Sequence, residues 1–217
     1  MYIPTSNAEP RPEVIHDFLD AHPFAALITA SPDTGIHATH LPFILHRARG
    51  EYGTLEGHLA RSNPHHRQPP AAETEALIIF TGPDAYITPS WYPAKAEHGR
   101  VVPTWNYVAV HVYGTLRWIE DPAFLRRHLE ELTTRHEAGR PNPWSVSDAP
   151  PEYVAQLQRA IVGVELTITR LEGKWKMSQN RSDADIDGVV QGLGSSPDAG
   201  DREVARIVAE RRPTRPA

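Results

Sequence analysis

The hydrophobic period changes several times along the chain, and each change marks an expected element. From Arg11 to His22, Val14, Ile15, Phe18 and Leu19 recur at helical spacing. Pro12 stands near the start, where its missing amide donor is no loss, so a short amphipathic helix is expected. Four β-like runs follow: FAALITA from Phe24, IHATHLPFIL from Ile36, YGTLEGHLA from Tyr52 and ALIIF from Ala76. Turn signals at Ser31-Pro32-Asp33 and Arg49-Gly50 separate them at the spacing of a meander or barrel. Between Val101 and Ile119, Val108, Val110, Val112, Leu116 and Trp118 share one parity, opposite Tyr107, Ala109, His111, Tyr113 and Arg117, which reads as one long strand.

Asp121-Pro122 then offers an N-cap and a first-turn proline, and Leu125, Leu129 and Leu132 carry a helix to about His136. After a Pro-rich loop over 141–151, Asp148 and Glu152 flag a second helix reaching about Ile161. VGVELTITRLEGKWKM resembles two strands joined at Glu172-Gly173, and short helices are expected near Asp185 to Leu193 and from Asp201 to Arg211, with disorder after Pro213. Many antiparallel strands with helices inserted between them make an α+β protein built on a β-barrel. The domain reading is a main body over 1–193 and a polar C-terminal helix and tail over 194–217.

Composition narrows the chemistry. The chain has 217 residues, no cysteine and a formal net charge of -5. Disulfides, thiolate metal sites and cysteine nucleophiles are therefore excluded, and no global positive charge draws the protein to nucleic acid or an anionic membrane. No stretch approaches the roughly 18 apolar residues that span a bilayer, and no leader pattern opens the chain, so a cytoplasmic protein without membrane contact is expected. Neither GxGxxG nor GxxxxGK[ST] occurs, which removes the two commonest phosphate loops.

The densest candidate chemistry lies between Gly82 and Tyr107. Tyr86, Trp91, Trp105 and Tyr107 pair stacking faces with polar tips, and Ser90, Lys95, Thr104 and Asn106 stand among them, a mixture suited to a polar, planar ligand such as a flavin. Ordinary interior aromatics are the competing reading. GHLARSNPHHR, from Gly57 to Arg67, gathers Arg61, Ser62 and Asn63 at a strand end with His58 just before them, the ingredients of an anion clamp for a phosphate; a solvated turn reads the same way. Thr39, His40, Leu41 and Pro42 set a proline inside a strand. That frees backbone groups for a ligand edge or marks an edge strand. Seven of the histidines lie near these segments, but His37 and His40 differ in parity and no HExxH occurs, so no metal site is expected. No GxSxG elbow supports a serine hydrolase. Lys174 to Arg181, with Gln179, forms a basic, amide-rich cluster that can close a pocket or stand as a solvated hairpin.

Taken in order, MYIP, AHPFAAL, HATHLPF, GHLARSNP, GPDAYITPSWYPAK, HGRVVPTWNY, VHVYG, APPEYVAQLQRAIVGVE and LEGKWKMSQNR closely resemble the PaiB family, FMN-binding negative transcriptional regulators among the split-barrel flavoproteins related to pyridoxamine-phosphate oxidase. The resemblance spans nearly the whole chain up to about Leu193. It implies a split β-barrel homodimer with peripheral helices and with FMN in a groove at the subunit interface. It places the FMN phosphate on Arg61, Ser62 and Asn63, the isoalloxazine along Thr39 to Pro42, and Ser90, Trp91, Trp105, Asn106 and Tyr107 along the ring or the dimer-side wall. FMN-dependent oxidoreductases and haem-handling proteins of the same barrel type are the alternative to a regulator or sensor, and no catalytic residue is assigned. Direct DNA binding has no helix-turn-helix signature and no favourable charge; the family label and Arg202, Arg206, Arg211, Arg212 and Arg215 speak for it.

Overall fold

The computed structural model of the chain describes residues 1–32, 34–67 and 74–214. In chain order the elements are β1 (Ala8–Glu9), α1 (Pro12–Ala21), β2 (Phe24–Ser31), β3 (Gly35–Pro42), β4 (Ile44–His46), β5 (Thr54–Ala60) and β6 (Thr74–Ile87). Then come α2 (Ala94–His98), β7 (Thr104–Ile119), α3 (Pro122–Glu137), α4 (Pro151–Arg159), β8 (Ile161–Lys176), α5 (Asp183–Gly194) and α6 (Ala199–Glu210). The sheet runs β3-β2-β6-β7-β8-β5-β4, with β1 paired to β8 off that path. The chain divides into two compact units interleaved in sequence, one of Met1–Arg11, Thr81–Val110 and Glu172–Ala217, the other of Pro12–Phe80 and His111–Leu171. The long strands β6, β7 and β8 each give residues to both.

In the Pro12–Phe80 and His111–Leu171 unit, β2 and β3 form an antiparallel hairpin from Phe24↔Pro42 to Ser31↔Gly35. β3 ends the strand order, so Pro42 sits on an edge strand, where a missing ladder donor is tolerated. β5 pairs antiparallel with both β4 and β8. Leu55 and Leu59 on one face of β5 join Leu27, Phe43, Ile78, Phe80, Val164 and Leu166 in the core, while Glu56 on its other face is also buried. Asp121 caps α3 by accepting from the amides of Ala123 at 3.1 Å and Phe124 at 3.3 Å. Asp148, expected to start the next helix, instead closes a single 3-10 turn by accepting from the Ser145 amide at 2.8 Å, and α4 begins at Pro151.

In the other unit the expected turn at Glu172-Gly173 does not exist. β8 runs unbroken to Lys176, because Gly173 has no positive φ and pairs with Glu9 of β1, whose neighbour Ala8 pairs with Lys174. β6 likewise continues through Gly82-Pro83 to Ile87 rather than ending at Phe80. Ser182 caps α5 through the Asp185 amide at 3.1 Å, and Asp198 caps α6 through the Gly200 amide at 2.7 Å. α6 is amphipathic: Val204, Ile207 and Val208 are buried, and α5 contributes Ile186, Val189 and Leu193 to the same interior. Of the tail expected to be disordered, residues 215–217 lie outside the described residues.

Candidate functional site

The strand-end segment after β5 is anchored by a buried histidine. Alternation along β3 puts His37, Thr39 and Leu41 on one face and His40 on the other, where His40 stacks on Phe24 with ring centroids 6.1 Å apart. The Thr39 hydroxyl lies 2.8 Å from Nδ1 of His65, and the Thr29 hydroxyl 2.8 Å from its Nε2. Asn63 completes the group: its Nδ2 donates to Thr39 Oγ1 at 3.1 Å, and its Oδ1 accepts from the His65 amide at 2.9 Å. Burial, with His37 adding, pushes His65 down to about 4, so its ring is neutral and uses both nitrogens on the two threonines. The indole of Trp118 meets it edge-on at 5.8 Å. This ties residues 61–66 to β3.

Arg61 leaves the same segment on another side. Its Nε and one Nη donate to the carbonyls of Arg159 and Ile161 at 3.2 Å each, and the other Nη lies 3.2 Å from exposed Glu120. A cavity of about 540 Å³ is lined by Arg61, Glu120, Leu125, Gln158 and Arg159, and Gln158 Nε2 is buried there without a hydrogen-bond partner. The amides of Arg61 and Asn63 are bound to the carbonyls of Ala160 and Ala60, so a backbone nest does not form from them. The donors for an anion are side chains: two guanidinium groups and an orphaned amide, a set that fits a phosphate once Glu120 turns aside. Ser62 is exposed beside them.

On β5, His58 Nδ1 lies 3.1 Å from Nε2 of His128, and Glu56 gathers Arg49, Arg127 and His46. Burial works against the Glu56 carboxylate, but the guanidinium groups of Arg127 and Arg49 outweigh it and hold its pKa at about 2. His46, Glu56 and Glu131 bring ligand atoms within 4.8 Å of one another. Two guanidinium charges on the central carboxylate repel a dication, so the trio is an ion-pair network.

The remaining expected residues lie in the other unit. Thr88 accepts from the Ser90 amide at 3.2 Å, and Lys95 Nζ donates to Ser90 Oγ at 3.1 Å. Trp91 packs its carbonyl and indole on α5 at Gly188 and Gly192. Lys176 Nζ donates to the Thr104 hydroxyl and to the Trp105 carbonyl at 2.5 Å. Burial, with Lys174 and Arg181 adding, lowers the Lys176 pKa. Tyr107 carries Lys174 Nζ 5.1 Å and Lys176 Nζ 6.0 Å from its ring centroid. Trp105 and Tyr86 meet edge-on at 5.9 Å, both about half exposed, and offer a stacking surface.

Asn106 and Gln179 serve the chain itself. Asn106 is fully buried and exchanges hydrogen bonds with Ser178 at 3.0 and 3.3 Å. Gln179 accepts from the Met177 amide at 2.7 Å and donates to the Trp175 carbonyl at 2.5 Å. Together they hold Ser178 at a φ of 62°, a left-handed conformation that costs a non-glycine residue about 1–2 kcal/mol. His65, His128 and Gln158 are absent from the expected set. His65 alone carried a sequence signal, its place in Asn63-Pro64-His65-His66.

A family model described as "Putative FMN-binding domain" matches residues 1–170. An uncharacterised protein of Emericella nidulans, AN0679, is 36% identical, with 97% of each chain covered. The protease synthase and sporulation protein PAI 2 of Bacillus subtilis is 31% identical over 97% of this chain and 98% of its own. Among solved structures, the FAD and haem binding protein from Mycobacterium smegmatis superposes with a TM-score of 0.57 at 20% identity, over 83% of this chain and 79% of the other. The flavocytochrome Anf3 from Azotobacter vinelandii gives 0.55 at 15% identity, over 83% and 74%. These structural likenesses establish the fold, an α+β split barrel.

Proposed function

This chain belongs to the PaiB-type family of FMN-binding proteins, and on that premise we propose that it is an FMN-dependent regulator or sensor acting as a homodimer with FMN at the subunit interface. The observation that carries the choice of cofactor is the donor set at Arg61: paired guanidinium groups and the unpartnered Gln158 amide suit the terminal phosphate monoester of FMN. Arg61 and Ser62 take the phosphate side, and Asn63, expected beside them, instead fixes the segment through Thr39 and His65. Thr39 to Pro42, Ser90, Trp91, Trp105 and Tyr107 are assigned to the ring side, as the family resemblance implies, and Lys95 and Thr104 are added to them for their polar side chains. Bound FMN would supply one- and two-electron chemistry, while the protein supplies binding and orientation.

Regulation is best explained through a partner or a small-molecule signal rather than direct DNA contact. Arg206 is paired with Glu203 and Glu210, Arg211 with Glu9 and Arg212 with Asp187, while Arg202 donates to the carbonyls of Ser196 and Pro197. These arginines are therefore poorly placed to neutralise DNA phosphates; Arg215 lies outside the described residues. An FMN-dependent oxidoreductase is the second reading, favoured by Lys176, whose lowered pKa beside Tyr107 suits proton delivery. The first test is the visible spectrum of purified protein, followed by an FMN titration read as fluorescence quenching. Saturable binding at one FMN per chain supports the proposal, and neither flavin bands nor uptake overturns it. Steady FMN-dependent NAD(P)H consumption with a small-molecule acceptor selects the oxidoreductase.

A further inference from the structure

A second cavity, of about 410 Å³, lies among β5, α3 and α4; of the residues expected at the flavin, His58 alone lines it, and the phosphate assignment to Arg61 does not use it. Its walls are apolar, from Leu129, Val154 and Leu157 to the aromatic rings of Trp144 and Tyr153. Trp144, Tyr153 and Leu157 remain about half exposed. The volume falls within the range of about 300–1,000 Å³ usual for small-molecule sites. Among the described residues, neither lysine nor arginine lines it.

Thr133, Trp144, Tyr153 and His58 bring polar groups to the lining, and for His58 the hydrogen bonding fixes which nitrogen carries the proton. His128 behind it is fully buried and stacks on Phe124 at 6.1 Å and 13°, and its Nδ1 has no partner. A buried bare lone pair is tolerated better than a buried N–H without an acceptor, so the His128 proton sits on Nε2. That nitrogen donates to His58 Nδ1 across the 3.1 Å contact, which leaves the His58 proton on Nε2. Nε2 of His58 is bonded to no group among the described residues. Burial keeps both rings neutral, and His128 is pushed down to about 4. An uncharged N–H donor thus stands in an apolar wall, where it rewards a hydrogen-bond acceptor and gives an anion no counter-charge.

We propose that this cavity binds an uncharged aromatic carbonyl compound of two or so fused rings, stacked on the apolar walls with its carbonyl oxygen accepting from His58 Nε2. The site is independent of the flavin reading, and its test does not require FMN to bind.

The probe is 2-acetonaphthone, titrated calorimetrically into the full chain as purified, with naphthalene and 2-naphthoate at pH 8 as comparisons. One 2-acetonaphthone per chain is expected. Naphthalene should bind roughly fivefold weaker, the worth of one neutral hydrogen bond, and 2-naphthoate at least tenfold weaker. His58→Phe should bring the ketone and the hydrocarbon to equal affinity. Leu157→Arg, at a half-exposed helix position, should abolish binding while leaving FMN uptake intact. Unchanged ketone binding in Leu157→Arg, or naphthoate binding as tightly as the ketone, overturns the proposal. So does release of FMN by 2-acetonaphthone, which makes the cavity part of the flavin site. A dimer that Leu157→Arg splits into monomers in sedimentation also overturns it, since a second copy of the chain is then the occupant.

Discussion

Gly192 of α5 meets the indole of Trp91 so closely that a Cβ there would stand 2.3 Å from Cε2. One turn earlier, a Cβ at Gly188 would fall 1.9 Å from the Trp91 carbonyl oxygen. The helix gives up propensity at two positions so that the Pro89–Trp91 turn can lie against it. Gly192→Ala should therefore destabilise by about 1–3 kcal/mol despite alanine's better helix propensity. Gly194→Ala, with nothing within 4 Å of its added methyl, should not destabilise. Urea unfolding of the two variants checks this, and equal midpoints would remove the close-approach argument.

Arg61→Ala should weaken FMN binding by about 1.5–3 kcal/mol, the worth of a hydrogen bond to a charged group. Arg61 also holds the carbonyls of Arg159 and Ile161, so a thermal melt must accompany the titration. Unchanged FMN affinity in a folded variant refutes the phosphate role.

Acid should unfold the protein in two separable windows. His65 and His128 are each pushed down to about 4 in the folded chain, chiefly by burial, from an ordinary 6.5. The unfolded state binds those protons first, so their contribution is complete above pH 6.5 and is lost as pH falls toward 4, at up to about 1.4 kcal/mol per pH unit for each proton. Glu56, with its pKa at about 2, acts lower: its contribution is complete above 4.5 and is lost as pH falls toward 2. His128→Gln should flatten the upper window and Glu56→Gln the lower one. Urea midpoints at pH 7, 5.5, 4 and 3 distinguish them, and an identical slope above pH 4.5 in wild type and His128→Gln would count against the buried neutral histidine.

Asn106→Ala should cost about 1–3 kcal/mol, because the Ser178 hydroxyl loses its buried partner while its backbone stays left-handed. Ser178→Gly in the same background should restore part of that loss by relaxing the φ of 62°. A double-mutant cycle in urea reads the coupling, and strict additivity would place the Asn106 effect elsewhere.

The sequence by itself determined what is local. Spacing gave α1, the four runs from Phe24 to Phe80 and the long strand ending at Ile119, and Asp121-Pro122 gave the start of α3, because periodicity and capping act over a few residues. Ordered motifs across the chain determined the family, and with it the barrel. Only the tertiary structure decided what depends on distant partners. Glu172-Gly173 carries turn residues, yet it stays extended because Glu9, more than 160 residues away, pairs with Gly173. Asn106 and Gln179 look like ligand amides in the sequence, and folding turns them onto Ser178 and the end of β8. His65 and His128 read as two among 12 histidines until Thr29, Thr39 and His58 close around them. A side chain's chemistry follows from its burial and its partners, and those are fixed by contacts between segments far apart in the chain.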